Sequence, residues 1–171
     1  MKPVKSPLIL SDFSVLECSY AFIVPKNSNE DFSQATFDEY PLNIDYTISE
    51  LGDFVRVFMD FEINYSDEPM DGYKFNVVAA SIFRFAEGTA EEEKGGWSNS
   101  MVSITINNIR SFIMNFTGGC PLGRYVFPSI DLNELVEQKR KSIDNLKKLA
   151  APKKVVKPAL KPTRKQAQRR G

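Results

Sequence analysis

Between Val55 and Tyr65 the chain sets Val55, Val57, Met59, Phe61, Ile63 and Tyr65 on one parity, opposed by Arg56, Asp60, Glu62 and Asn64. A period of two sends successive side chains to opposite faces, so this stretch buries one face only as a β-strand. Upstream, Leu42, Ile44, Tyr46 and Ile48 alternate with Asn43, Asp45, Thr47 and Ser49, and Gly52-Asp53 marks a turn between the two runs. Downstream, Ser66 to Gly72 is a turn by composition, after which Tyr73, Phe75, Val77 and Ala79 resume the alternation toward Phe85. Strands joined by connections this short are antiparallel neighbours, which makes the three a meander.

A further strand precedes them. Leu10 to Val24 mixes Phe13, Val15, Tyr20, Phe22 and Val24 and stops at Pro25. The connection after it, Lys26 to Pro41, is long and polar with Phe32, Phe37 and Tyr40 spaced through it, a length that suits a crossover better than a tight hairpin. After the meander, Glu87 to Gly96 reads as a polar, acidic loop. Val102, Ile106, Ile109, Ile113 and Phe116 then fall three or four residues apart, which predicts a helix stopped by Gly118-Gly119 despite its β-branched opening. Pro121 to Ile130 is expected to be extended, since Pro128 holds its predecessor out of helix. Asp131 with Glu134 has the spacing of a capping box, opening a second helix to about Leu149 with Leu132, Leu135, Ile143 and Leu146 on its apolar side.

The expected fold is α+β: a four-stranded antiparallel sheet with a long crossover after strand 1, followed by two helices packed on it. The expected divisions are an N-terminal arm over 1–9, one domain over 10–149 and a basic, disordered tail over 150–171. The formal net charge of zero hides a division: residues 1–138 hold 9 Lys+Arg against 21 Asp+Glu, and residues 139–171 hold 13 against Asp144 alone. Charges of −12 and +12 in two parts of one chain attract within a Debye length of about 8 Å at physiological salt, favouring a tail laid on its own body or on a neighbouring subunit.

Composition argues against several functions. There is no histidine, which removes the commonest general base and metal ligand. Cys18 and Cys120 are far apart with no second Cys nearby, so they form neither a disulfide framework nor a zinc site and are expected to be free, buried thiols. No phosphate-cradling glycine motif occurs, and Glu91-Glu92-Glu93 reads as a solvated loop. The expectation is a protein that is not an enzyme and needs no metal or cofactor. The apolar run Leu8-Ile9-Leu10 is too short for a signal peptide and no stretch is long enough for a membrane helix, so a cytoplasmic location without membrane insertion is expected. The tail could contact nucleic acid or the ribosome through counterion release. It holds no aromatic residue for base stacking, and a solubilising arm or a docking arm for a protein partner fits it as well.

Three stretches carry a family resemblance: Ser19-Tyr20-Ala21-Phe22-Ile23-Val24-Pro25 at the end of the first strand; the strand pair Leu42–Tyr65 followed by Tyr73–Phe85 with its Ile82-Phe83-Arg84-Phe85 ending; and Arg110-Ser111-Phe112-Ile113-Met114 leading through Gly119 to Phe127-Pro128-Ser129-Ile130-Asp131-Leu132. Their order and spacing, over roughly residues 10 to 148, resemble the SecB export chaperones. The resemblance implies an ATP-independent holdase, a homotetramer built as a dimer of dimers, that keeps unfolded polypeptide in long apolar grooves. It places Phe32, Phe37, Tyr40, Leu42 and Ile44 in the client-binding groove and Met101, Ile104, Ile109 and Phe112 on an oligomer-interface helix. Family members that deliver clients to the SecA motor carry acidic residues on the outer sheet face. The corresponding positions here are Ser19, Ile23, Lys74 and Asn76, and the tail differs from the family's motor-docking segment. SecA is thus an incomplete match as a partner. Relatives outside export, including guardians of an antitoxin in toxin–antitoxin systems, leave a second client class open. The alternative is an adaptor whose basic tail binds nucleic acid or the ribosome.

Overall fold

The computed structural model of the chain describes residues 5–25 and 37–150, with the side chains of residues 91 and 145–150 excepted. Phe32, the first residues of the arm and the basic segment 151–171 lie outside the described residues, and so does the disorder expected there. The four strands are β1 (Leu8–Ile23), β2 (Leu42–Leu51), β3 (Phe54–Ile63) and β4 (Gly72–Phe85), all paired antiparallel in the order β1-β4-β3-β2. Two helices follow, α1 (Ser98–Thr117) and α2 (Leu132–Ala150). The fold is α+β. Because β1 and β2 are opposite edges, residues 24–41 carry the chain across three inter-strand spacings, about 14 Å.

The meander forms where the alternation predicts it, and β3 pairs residue for residue with both neighbours. Val57, Met59, Phe61 and Ile63 of β3, with Tyr73, Phe75, Val77, Ala79 and Phe83 of β4, are fully buried on the face beneath the helices. Tyr65 departs from the pattern and is exposed, because Asn64 takes a left-handed φ of 57° and ends the strand's alternation. Asn64 is itself buried: its amide donates to the Met70 and Tyr73 carbonyls and its Oδ1 accepts from Met70 N, closing the β3–β4 turn.

β1 reads differently from the meander because two register shifts interrupt it, between Leu10 and Asp12 and between Val15 and Glu17. Each extra residue reverses the parity of the positions beyond it. Leu8 and Leu10, then Phe13 and Val15, then Cys18, Tyr20 and Phe22 therefore share the covered face. Cys18 is nonetheless exposed and Cys120 half-buried, so the expectation of buried thiols fails. The reason is coverage: α1 packs mainly on β3 and β4 and meets β1 at Tyr20, whose ring lies 5.3 Å from that of Phe116, while Cys18 stays open.

α1 turns Met101, Val102, Thr105, Ile106, Ile109 and Ile113 onto the sheet, and burial outweighs the β-branched residues that disfavour helix. Phe116, expected on the same face, is 42% exposed at the last turn. Instead of a plain loop, Glu91–Lys94 forms one helical turn and Gly95–Trp97 a 3-10 turn that lead directly into α1. The link expected to be extended instead opens with a turn, in which Gly123 N donates to the Cys120 carbonyl and Gly123 takes a φ of 73°. Over 123–131 it is neither helix nor strand, and it is pinned by Arg110, which donates to the Pro128 carbonyl at 2.8 Å and stacks over Phe127. Phe127 in turn packs on Phe61. Asp131 caps α2 through the amides of Asn133 and Glu134.

Candidate polypeptide-binding site

The covered face of the sheet has two ends of opposite character. At the crossover end, the last turn before β2 delivers Phe37 and Tyr40 into a cluster with Tyr73 and Tyr125, all buried. Hydrogen bonds fix Tyr40: its hydroxyl donates to the Asp71 carbonyl at 2.7 Å and accepts from Tyr73 N at 3.0 Å. Gly72 makes room for it, since a Cβ there would meet the Tyr40 hydroxyl at 2.0 Å, and its φ of 105° suits glycine alone. The Tyr73 hydroxyl donates to the Gly123 carbonyl and accepts from Leu122 N, tying the cluster to the segment after α1. Burial pushes the phenols of Tyr40, Tyr73 and Tyr125 above their ordinary range. Among the described residues, the buried Tyr125 hydroxyl has no hydrogen-bond partner.

At the other end, beside the β2–β3 turn, the covered face is open. A groove of about 840 Å³ runs between that turn, the end of β4 and the start of α1. Ile48, Val55, Phe85 and Met101 give it apolar walls, and Glu50, Arg84, Glu87 and Lys94 a charged rim. Lys94 Nζ sits 5.8 Å from the centre of the Phe85 ring, capping it as a cation over an aromatic face.

The residues singled out from the sequence are distributed over this frame. Phe37 and Tyr40 are 3% exposed and belong to the closed aromatic cluster, while Leu42 and Ile44 are half-buried on the covered side of β2. On α1, Met101 and Ile109 are buried against the sheet, and Ile104 and Phe112 are half-buried at the margin of the core. The open groove was not among the sequence candidates. Its signal was present in Ile48 and Val55, the last and first apolar positions of the two alternating runs, but alternation does not say which end of a sheet a helix leaves bare.

Among the described residues, α1 packs on the covered face and not on the opposite one, which α2 meets only at the β2 edge through Lys139. Cross-strand partners share a face, which puts Ser19, Ile23, Lys74 and Asn76 there together, alongside Glu17, Asp45, Asp60 and Glu62. The carboxylates occupy neighbouring positions that sequence matching did not select. Partial burial raises the Asp60 pKa, and Glu62, Asp45 and Glu17 add to it. Lys139 of α2 forms a salt bridge to Asp45 at the β2 edge. Among the described residues there is no cluster of carboxylates and thiols able to hold a metal ion, and no helix is long and apolar enough to cross a membrane.

No family model matches the chain, and no curated protein matches it in sequence. Among solved structures, a SecB-like chaperone of Mycobacterium tuberculosis in complex with a peptide from the HigA1 antitoxin overlaps 73% of this chain and 91% of its own, at 14% identity and a TM-score of 0.45. A protein of unknown function from Streptococcus agalactiae overlaps 72% of this chain and 97% of its own, at 8% identity and a TM-score of 0.36. Both scores lie below 0.5, so neither likeness assigns the chain to a family.

Proposed function

We propose that this chain is an ATP-independent holdase that binds non-native polypeptide through the covered face of its sheet. The observation that carries the reading is the open groove of about 840 Å³ beside the β2–β3 turn, in which the apolar side chains of Ile48, Val55 and Phe85 are set among Glu50, Arg84, Glu87 and Lys94. Unfolded chains expose apolar side chains and unpaired backbone, and an apolar groove next to an edge strand takes many such sequences without reading any one of them. The half-buried Leu42 and Ile44 extend apolar surface along the same edge strand. The sequence resemblance to SecB supports the same class of activity, in export or in guarding an antitoxin. Self-association uses the side of α1 that carries Ile104 and Phe112, since Met101 and Ile109 are already spent on the protein's own core.

The test is suppression of aggregation of a chemically unfolded protein without ATP. The wild-type chain slows light scattering at equimolar ratio, and the double substitution Ile48→Ser, Phe85→Ser removes most of the effect while the fold is retained. A wild-type chain that leaves aggregation unchanged overturns the reading. The charge division supports a second reading, an adaptor whose tail meets nucleic acid or the ribosome. It requires retention on RNA that weakens with salt and disappears when the chain is cut after Ala150.

A further inference from the structure

The face of the sheet opposite the groove is polarised along its strands. On β3 it carries Phe54, Arg56, Phe58, Asp60 and Glu62 in succession, since Val57, Met59, Phe61 and Ile63 are buried on the covered side. Cross-strand pairing sets Arg84, Ile82, Ala80, Val78 and Asn76 of β4 beside them in that order. The face therefore has an arginine end at Arg56 and Arg84, an apolar centre at Phe58 and Ala80, and an acidic end. Asp45 and Glu17 flank the Asp60–Val78 pair there, one row from Glu62. The centre is open to water: Phe58 is 38% exposed and Phe54 41%. Both ends are incomplete among the described residues. Asp60 Oδ1 and Asn76 Oδ1 are buried without a hydrogen-bond partner, and Arg56 forms no ion pair.

We propose that this face is an interface between two copies of the chain, stacked sheet on sheet about a two-fold axis along the Phe58–Ala80 row. Such an axis keeps β3 over β3 and exchanges positions equally far on either side of that row. Phe58 meets Phe58 at the centre, and Arg56 of each copy faces Asp60 of the other. Arg84, which also borders the groove, falls on the row that holds Asn76 and Glu62. Aligned sheets pack about 10 Å apart with strands crossing at about 30°. A position two residues from the axis is then displaced sideways by about 3–4 Å, less than one strand spacing, so the Arg56–Asp60 pairing survives the twist. Four strands of about ten residues cover a plane of about 600 Å², which side-chain relief brings near the roughly 800 Å² per partner of a standard interface. Burial raises the Asp60 pKa in the separated chain, and Glu62, Asp45 and Glu17 add to it. A facing guanidinium is the counterion that these neighbours do not supply. The same axis sets Asp12 opposite Glu17, a like pair left at the solvated β1 edge, where screening keeps its cost small. The interface lies away from the groove, goes beyond client binding, and leaves the Ile104 and Phe112 side of α1 free.

Sedimentation velocity on the full chain over a concentration series tests the pairing. The wild type associates, and Phe58→Glu halves the mass found, whether that is a dimer or, with α1 also paired, a tetramer. Arg56→Glu and Asp60→Arg each place like charges opposite one another twice per interface and weaken association by at least about 10-fold. Mixing the two variants restores it. In the mixed pair the carboxylate introduced at position 56 meets the guanidinium introduced at position 60, and the native Asp60 meets the native Arg56. Phe58 and Arg56 are exposed, so their variants melt like the wild type in dilute solution, where the chains are separate. Where Asp60→Arg fails to fold, Phe58→Glu decides alone. A wild type that stays monomeric at every concentration, a mass unchanged by Phe58→Glu, or folded variants that stay apart on mixing overturns the proposal. Each of these leaves the holdase reading standing, because its groove is on the other face.

Discussion

The two ends of the covered face are built from the same strands and do opposite things. At the crossover end, phenol hydroxyls reach backbone groups of two connections, the β3–β4 turn and the segment after α1, and Asn64 stitches the β3–β4 turn beneath them. At the turn between β2 and β3, apolar side chains of similar type line open space. Apolar character is common to both; what differs is that one end has chain returning over it, from the crossover and from the segment after α1. A surface of this kind becomes core where the chain covers it and becomes a binding groove where it does not.

Substitutions that break this contrast have graded effects. The largest is expected at Gly72, where any side chain collides with Tyr40 and must adopt a φ of 105°. Gly72→Ala should cost about 3 kcal/mol or more and lower Tm by roughly 10 °C in a thermal melt. Asn64→Ala comes next. It strands the Met70 amide and the Met70 and Tyr73 carbonyls at the buried turn, at a cost of about 2–3 kcal/mol measurable by urea titration. At the open end the pattern should invert. Val55→Ser, at a half-buried groove wall, should cost about 1 kcal/mol or less but visibly weaken the holding of an unfolded substrate. Equal destabilisation at both ends would erase the distinction between them.

The smallest effect lies on the bare face. Asp60 has a raised folded pKa from burial and from Glu62, Asp45 and Glu17. A carboxyl of this kind holds its proton more readily in the folded state, so its contribution to stability falls as pH rises from about 4 through the raised value. Asp60→Asn should therefore raise Tm by about 1–3 °C at pH 7, and the gain should shrink to nothing near pH 4. A gain that grew toward acid pH would mean that the neighbouring carboxylates do not repel Asp60 in the folded protein.

The meander was legible in the sequence because β3 carries no bulge and its alternation runs unbroken from Val55 to Ile63. β1 was legible as a strand but not in its facing, since two inserted residues reverse its parity and no residue type announces them. Tyr65 was misplaced for a related reason: one left-handed residue, Asn64, ends the alternation before it. Of the site, Phe37 and Tyr40 were visible as unusual aromatics in a polar connection, and Leu42 and Ile44 as a strand face. The groove of Ile48, Val55, Phe85 and Met101 joins residues from four separate elements and left no local trace.

By itself the sequence determined the α+β class, the meander, the two helices and the cap at Asp131, because each arises from periodicity or from side-chain chemistry within a few residues. Only the tertiary structure decided which apolar surface is core and which is groove, and that Cys18 is exposed. Burial and pairing are properties of what the chain brings back from a distance. Here, residues 37–41 and the segment between α1 and α2 cover the crossover end, and the β2–β3 end is left open.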